Sequence, residues 1–481
     1  MSIATLHKST PLNGSSQLEY IDSDKKSGGQ KDVFRSRNGQ FAIGLYRNSG
    51  PEIDEFRLKR LLGLIHQINP TSGVDGPHWQ QRMCWPLAIV IKPFLGVVTP
   101  WYPQIFWDNT GKKPRYKRSD IFFLPNPRAR LAPEDRGDMR DRLNWAINLS
   151  ESIRRLHNAG CAHSDLSANN VLFDNKSGLC FVTDLDSIVV PDFYPSEVIG
   201  TPGYIAPDIL SSSSAGAAGA SGRILPSRYS DLHSLAVLIY QMFFIRHPLE
   251  GETNRFVGLS AEEAIQREFG EDALYIEHPT NHANRPKVLN PPAEVMGDEI
   301  AALFKNAFVD GLHDPAKRPS ASQWEQALIK AKDMLIPCNG KGCEFKWFVV
   351  NPKMKAPFKC PYCGHSTPGP IPILTMYQPQ GKSVKKHAAV ALYSSISRSA
   401  RSLYARQFFS GYNAGDTGDE VAAARVNNAI YRLTNIALPH LESNGTVIPQ
   451  GSEILLRDRQ VLHYKSQGNQ KESMTEVRYV G

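Results

Sequence analysis

The stretch HNAGCAHSDLSANNVLF, residues 157–173, decides how the rest of the chain is read. It joins a run with helical apolar spacing, from Arg140 to Ala159, to a short strand pattern at NVLF. Between them lie His163, Asp165 and Asn170, polar groups carried on a loop. Taken alone, a loop aspartate or asparagine is equally well explained as a turn cap. Four further stretches follow in order: VTDLD at 182–186, GTPGYIAPDIL at 200–210, YSDLHSLAVLIYQM at 229–242 and DPAKRPSA at 314–321. Each is weak by itself; together and in this order they are specific.

The set resembles the eukaryotic-type protein kinases. His163-x-Asp165-Leu166-x-x-x-Asn170 resembles their catalytic loop, Asp184 stands where the D-F-G aspartate belongs, and residues 200–210 resemble the G-T-x-x-Y-x-A-P-E segment. The resemblance implies an α+β, bilobal protein-kinase fold over residues 18–334, with an N-lobe at about 18–100 and a C-lobe at about 101–334. It implies transfer of the γ-phosphoryl group of ATP to a hydroxyl of a protein substrate, chemistry that needs positioning and charge neutralisation more than covalent work. Asp165 would orient the hydroxyl and accept its proton, while Asn170 and Asp184 would hold Mg²⁺, a cation that prefers oxygen ligands. Thr201 and Pro202 match the Ser/Thr rather than the Tyr class.

Departures from the family pattern matter. Ser164 replaces the arginine that pairs with a phosphorylated loop, so activity is expected not to need loop phosphorylation through that contact at Ser187, Tyr194 or Ser196; Thr201 stands apart, where Ser/Thr kinases place a threonine that reaches the catalytic aspartate. Ser167 replaces a lysine that contacts the γ-phosphate, which places the full catalytic rate in question. Asp186 replaces the D-F-G glycine, removing backbone freedom. Asp208 replaces the A-P-E glutamate and is expected to pair with Arg318. These last two read as architecture.

In GQFAIGLYR (39–47), Gly44 stands where the family's third strand supplies its ATP-gripping lysine. Upstream, KSGGQKDV (26–33) overlies the glycine-rich loop, with Gly28 and Gly29 keeping a backbone suited to close approach to phosphate and Lys31 at the third-glycine position. The double change resembles the with-no-lysine kinases, in which a loop lysine reaches the same space. Adjacent strands lie about 4.8 Å apart and a lysine stem is long, so the reach is feasible. Arg47 is a second candidate, but its odd offset from Gly44 points it to the other face. Glu55, on a helix read from PEIDEFRLKRLLGLIHQI, is the expected acidic partner of the lysine, with Asp54 and Glu52 as alternatives. Val33, Ala42 and Leu172 match the residues that sandwich adenine, and Thr99 the gatekeeper before the hinge TPWY.

Beyond residue 334, Cys338, Cys343, Cys360 and Cys363 form C-x₄-C…C-x₂-C, the pattern of a closed structural Zn²⁺ site. It resembles a zinc ribbon, expected at 335–370. Residues 371–481 alternate as β structure, and ESNGTVIPQGSEILLRDRQVLHY (442–464) resembles the closing strands of forkhead-associated domains, small β-sandwiches that bind phosphothreonine peptides. Their upstream G-R and S-x-x-H signatures have no usable counterpart here. The whole arrangement is similar to kinases encoded beside a PP2C-like phosphatase and a von Willebrand A-type protein in bacterial tellurite-resistance systems, which implies a phosphatase or other signalling partner.

The bulk properties agree with a multidomain globular protein: 481 residues, 41% hydrophobic, 21% charged and a formal net charge of +8. Residues 1–17 carry no signal-peptide core and read as a tail, and no apolar run is long enough to span a bilayer, so a cytoplasmic protein is expected without membrane partners. Cys84, Cys161 and Cys180 stand singly, as in a reducing compartment. Residues 103–136 read as a solvated insertion loop or, alternatively, a basic docking surface, and SSSSAGAAGASG (211–222) as a flexible insertion. Two rivals stay open: a nucleotide-binding pseudokinase scaffold, and an adaptor that contacts nucleic acid or protein through its zinc and C-terminal parts.

Overall fold

The computed structural model describes residues 1–28, 30–47, 54–109, 114–124, 128–190, 194, 200–214, 224–251, 255–351, 353–380, 383–393, 400–409, 418–427, 430–465 and 472–480. They divide into two compact units. One comprises Met1–Leu131, Asn148–Arg285 and Asn306–Ala321; the other comprises Ala132–Ile147, Pro286–Lys305 and Ser322–Gly481.

The first unit begins with a closed six-stranded barrel. Its strands are β1 (Ser2–Leu6), β2 (Gln17–Ser27), β3 (Lys31–Ser36), β4 (Phe41–Tyr46), β5 (Ala88–Lys92) and β6 (Gly96–Pro100), in the order β1-β2-β3-β4-β6-β5. Alternation along the strands sends Ala4, Leu6, Tyr20, Ile43, Leu45, Ala88, Val90 and Val98 into one core. The reading of residues 1–17 as a tail is corrected here: β1 pairs with both β2 and β5, and Ala4 and Leu6 are buried. Closure of the barrel removes the sheet edge that β2 and β5 would otherwise expose.

Helix α1 (Glu55–His66) starts where Asp54 accepts a hydrogen bond from the Arg57 amide at 2.9 Å, an N-cap that satisfies one free N–H. Its Leu61 packs with Tyr46, Ile89, Leu95 and Val97. A helix at Met139–Asn158 matches the spacing read from Arg140 to Ala159. Farther on, helix Arg228–Phe244 is buried from Ser230 to Phe244, which fits its nearly continuous apolar sequence, and Ser227 caps it through a reciprocal bond with Ser230. Arg318 pairs with Asp208 as the A-P-E pattern implied. Its buried guanidinium also donates to the carbonyls of Gly311 (2.8 Å), Tyr229 (3.0 Å) and Leu312 (3.0 Å), so the buried cation is paired and hydrogen-bonded.

In the second unit two small hairpins carry the cysteine pairs: Leu335–Pro337 with Trp347–Val349, and Phe358–Lys359 with Ser366–Thr367. The C-terminal part forms two antiparallel sheets. The six-stranded sheet runs in the order Ser383–Ala391, Ile371–Gln380, Glu472–Val480, Val461–Lys465, Glu442–Ser443, Thr446–Val447; the four-stranded one runs Arg401–Tyr404, Glu420–Asn427, Ile430–Asn435, Glu453–Leu455. One apolar cluster draws on both, with Leu374, Val390 and Val477 from the first and Leu403, Ala422 and Leu433 from the second.

The expected boundary at residue 334 does not separate compact units, because residues 132–147, 286–305 and 322–334 cluster with the cysteine-rich and C-terminal segments. Asp333 gives the physical reason. Its buried carboxylate takes a bidentate pair from Arg406 (2.8 and 2.9 Å) and a bond from Gln407 (2.8 Å), while its carbonyl accepts from Arg401 at 2.7 Å. Among the described residues no helix is long and apolar enough to cross a membrane.

Candidate active site

The loop read first from the sequence is fixed from below by Asp231. This carboxylate, almost fully buried, accepts from the backbone amides of His163 (2.7 Å) and Ser164 (3.1 Å), and His157 Nε2 lies 3.0 Å away. Two amides and an imidazole on one acid hold the backbone through a turn in which Ser164 has a φ of 68°. His163 then acts as a strut: its Nε2 lies 2.9 Å from the Thr183 carbonyl, and its Nδ1 accepts from the Asp165 amide at 3.3 Å. The loop is thereby tied to the residue before Asp184.

At the loop's tip, Asp165 Oδ1 accepts from the Thr201 hydroxyl at 2.7 Å and Oδ2 from Asn170 Nδ2 at 3.1 Å. Asn170 also reaches the Asp165 carbonyl at 2.8 Å, and its own carbonyl accepts from the Thr183 amide at 2.9 Å. Asp165, Asn170 and Thr201, predicted separately, therefore form one hydrogen-bonded cluster. Ser167 lies beside it, 3.3 Å from the Thr201 hydroxyl, and its side chain supplies no cation.

Lys31 enters from the barrel. It stands opposite Tyr46 in the β3–β4 register, with Val33 opposite Gly44. Its ammonium lies 2.8 Å from Asp184 Oδ1 and makes a short contact with Asp186 Oδ1. Gly44 leaves the room for this path: a Cβ there would sit 3.0 Å from Lys31 Cδ and 3.6 Å from Val97 Cγ1. The glycine and the lysine are thus two halves of one packing arrangement. Burial alone would push the Lys31 ammonium down; the carboxylates of Asp186 and Asp184 outweigh it and hold it well above the usual lysine range. Burial likewise works against ionised Asp186, but Lys31 and the Tyr46 hydroxyl hold its carboxyl below the usual range. Asp184 has a φ of 61° and is 42% exposed, against 3% for Asp186, so one acid faces outward while the other is enclosed.

The remaining predicted positions are distributed as follows. Ala42 pairs with Thr99 across β4 and β6, Val33 is half-buried on β3, and Leu172 is buried against Cys84, Phe106 and Phe181. Gly28 closes the β2–β3 turn through a 3.0 Å bond to the Lys31 carbonyl; Gly29 and Glu52 lie outside the described residues, as does Ser196. Arg47 binds Asp32 at 2.9 Å, away from Gly44. The expectation that Glu55 pairs with Lys31 is corrected: Glu55 is exposed in the first turn of α1, and among the described residues it makes no ion pair with Lys31. The reason is geometric, since α1 begins at Glu55 and buries Arg60, Leu61, Gly63 and Leu64, a face without a carboxylate. Asp54, the other alternative, serves as the cap.

Sequence reasoning missed Asp186, Tyr46 and Asp231. Asp231 was legible in YSDLHS as a polar residue opening an otherwise apolar helix. Asp186 stood out only as a replaced D-F-G glycine and was read as architecture, and Tyr46 carried no local signal. Burial pushes the thiols of Cys84, Cys161 and Cys180 up to about 12, so none offers a thiolate nucleophile near neutral pH.

In the second unit, the sulfurs of Cys338, Cys343, Cys360 and Cys363 all lie within 4.8 Å of one another, with Cys338–Cys363 at 3.4 Å and Cys343–Cys360 at 3.9 Å. Four thiolates about 2.3 Å from one Zn²⁺ would be about 3.8 Å apart, so the set fits that ion. Gly340 has no side chain for a close-packing reason: a Cβ there would meet Cys363 Sγ at 3.0 Å and His365 Cβ at 2.8 Å.

Comparison with known proteins places this geometry in a class. Residues 130–328 match the protein kinase domain, so the chain carries such a domain; the barrel with Lys31 and Gly44 precedes the matched region. The serine/threonine-protein kinase ppk21 of Schizosaccharomyces pombe is 31% identical over 117 residues, covering 22% of this chain and 19% of that protein. The dual serine/threonine and tyrosine protein kinase of Takifugu rubripes is 35% identical over 72 residues and that of Xenopus laevis 36% over 73, each covering 15% of this chain and 8% of the relative. The chain thus spans a fifth or less of the length of these curated relatives.

Proposed function

We propose that the protein is a serine/threonine protein kinase in which Lys31 replaces the missing strand lysine. The observation that carries the reading is the convergence of Lys31, from the barrel, on Asp184 Oδ1 at 2.8 Å through the space above Gly44. Val33, Ala42 and Leu172 would enclose the adenine, with Thr99 behind it, and Lys31 would grip the phosphates. Asn170 and Asp184 would hold Mg²⁺, which when bound supplies charge neutralisation along the phosphate chain. Asp165 orients the substrate hydroxyl and takes its proton as the oxygen bonds to the γ-phosphorus; the bond to the β–γ bridging oxygen breaks and ADP leaves.

Thr201 bonds Oδ1 of Asp165 and Asn170 bonds Oδ2, which fixes the orientation of the carboxylate that would receive the hydroxyl, and the threonine is the residue expected for Ser/Thr acceptors. One observation favours a nucleotide-binding scaffold instead: Ser167, fully buried, supplies no cation at the position where the family has a lysine. A radiolabelled-ATP assay on the full chain with a generic protein substrate separates the two. The kinase reading expects transfer by the wild type and at least a hundredfold loss in Lys31→Met and Asp184→Asn. Nucleotide binding without transfer selects the scaffold, and transfer surviving Lys31→Met removes the displaced-lysine reading.

The four cysteines are assigned to a structural Zn²⁺ in a zinc ribbon, and the two C-terminal sheets to a forkhead-associated-like partner-binding domain. For the latter, SNGT carries less weight than its sequence suggested. Asn444 and Gly445 have φ values of 50° and 76° in the tight hairpin between Glu442–Ser443 and Thr446–Val447, so turn chemistry already accounts for them.

A further inference from the structure

We propose that Asp186 is the positioning residue for Lys31, performing within the Asp184–Asp186 turn the task that protein kinases give to a helix glutamate. The proposal rests on the reading of Lys31 as the nucleotide-gripping lysine.

Protein kinases ordinarily require an ion pair between the strand lysine and an acid of the adjacent helix. Here both oxygens of Asp186 are committed to the barrel: Oδ1 to Lys31 Nζ, and Oδ2 to the Tyr46 hydroxyl at 2.6 Å. Lys31 and Tyr46 are direct cross-strand partners, so a single strand pair presents both donors to one carboxylate. The 3% exposure of Asp186 makes it a fixed anchor, whereas Asp184, 42% exposed, keeps an accessible edge for a cation and phosphate. Without Asp186 the lysine would have Asp184 alone and would compete with that cation for it.

Helix α1 makes no such offer. Glu55 is exposed, Asp54 caps the helix, and the residue that α1 brings toward this cluster is a cation: the Arg57 guanidinium lies 4.4 Å from the centroid of the Tyr46 ring. The acid that aligns Lys31 is therefore covalently two residues from the acid that faces the phosphates. Displacement of α1, which breaks the lysine–glutamate pair in a kinase built the usual way, leaves this pair intact.

The test measures affinity of the full chain for a fluorescent N-methylanthraniloyl ATP with Mg²⁺, a readout that does not depend on turnover. Asp186→Asn should weaken binding at least tenfold and raise the Mg²⁺ concentration for half-maximal binding, while Glu55→Gln should change it less than twofold. Because Asp186 acts through Lys31, adding Asp186→Asn to Lys31→Met should cost less than a further twofold. A merely structural aspartate would give additive losses, and that result overturns the proposal. So does Asp186→Asn binding within twofold of wild type, or a tenfold loss in Glu55→Gln. Normal binding by Lys31→Met removes the Lys31 reading and this proposal with it; weak Lys31→Met beside normal Asp186→Asn removes this proposal alone. Should Asp186→Asn fail to fold, Tyr46→Phe, which deletes one bond to the same carboxylate, should weaken binding two- to fivefold in the wild type and not at all beside Lys31→Met.

Discussion

Replacing Gly44 by alanine adds one methyl group at the point where the barrel yields to the Lys31 stem. That Cβ would lie 3.0 Å from Lys31 Cδ, inside the roughly 3.5–4.0 Å at which carbon atoms rest in contact. Val97 Cγ1, at 3.6 Å, blocks retreat on another side, so the stem must yield by about half an ångström. Passed on to the ammonium, a shift of that size lengthens the 2.8 Å contact with Asp184 and weakens it by about 1 kcal/mol at an effective dielectric of about 20. Because the same shift would carry the ammonium off the phosphates that Lys31 would grip, the reaction should slow about three- to tenfold in kcat/KM. Stability should change little. The Gly44 backbone lies outside the left-handed region, so alanine restricts the unfolded chain and contributes about 0.4–1 kcal/mol, which offsets the weakened contact. Steady-state transfer of labelled phosphate, together with urea denaturation, separates the two effects, and Gly44→Leu should enlarge the first. Gly44→Leu that folds normally and turns over within twofold of wild type would refute the account, as would an activity loss that merely tracks unfolding.

Two other expectations address the scaffold. Arg318→Met removes the guanidinium that satisfies three carbonyls and Asp208 in a buried pocket, and should cost about 3–5 kcal/mol in chemical denaturation; a loss under 1 kcal/mol would mean the pocket admits water freely. Purified protein should carry about one equivalent of zinc per chain, released by a thiol-directed reagent, and Cys360→Ser should abolish it and make residues 335–370 sensitive to protease; a chain free of zinc with an unaltered digestion pattern counts against the site.

The arrangement of the candidate site was legible where its residues are close in sequence. Asp165, Asn170, Asp184 and Thr201 lie in short stretches whose spacing is set by one loop or one turn, so their order in the sequence already carries their geometry. The Lys31–Gly44 relation was also legible, because a lost side chain and a gained one lay on adjacent strands. Asp186 was not. It meets Lys31 across 155 positions of sequence, and its own neighbourhood shows only a glycine replaced by an acid. The helix acid was sought on α1 because the family pattern places it there, while the burial of Arg60, Leu61, Gly63 and Leu64 is a fact of packing. Strand β1 was missed for a simpler reason. Five residues give too few alternations to stand out, although Ala4 and Leu6 point inward just as the alternation of SIATL allows.

Asp333 bears on what can be treated as a separable module. The family match ends at residue 328, a natural place to divide the chain by pattern. Yet the last helix of that region ends at Asp333, whose carboxylate takes Arg406 and Gln407 and whose carbonyl takes Arg401, all three from the C-terminal part of the chain. A chain cut after residue 334 would keep the acid and lose every one of those donors, opening to water a helix end that they cover. The region that the family pattern marks off is therefore not a self-contained piece of this protein: residues 401–407 complete the end of its last helix, and a fragment without them should unfold more readily than the full chain.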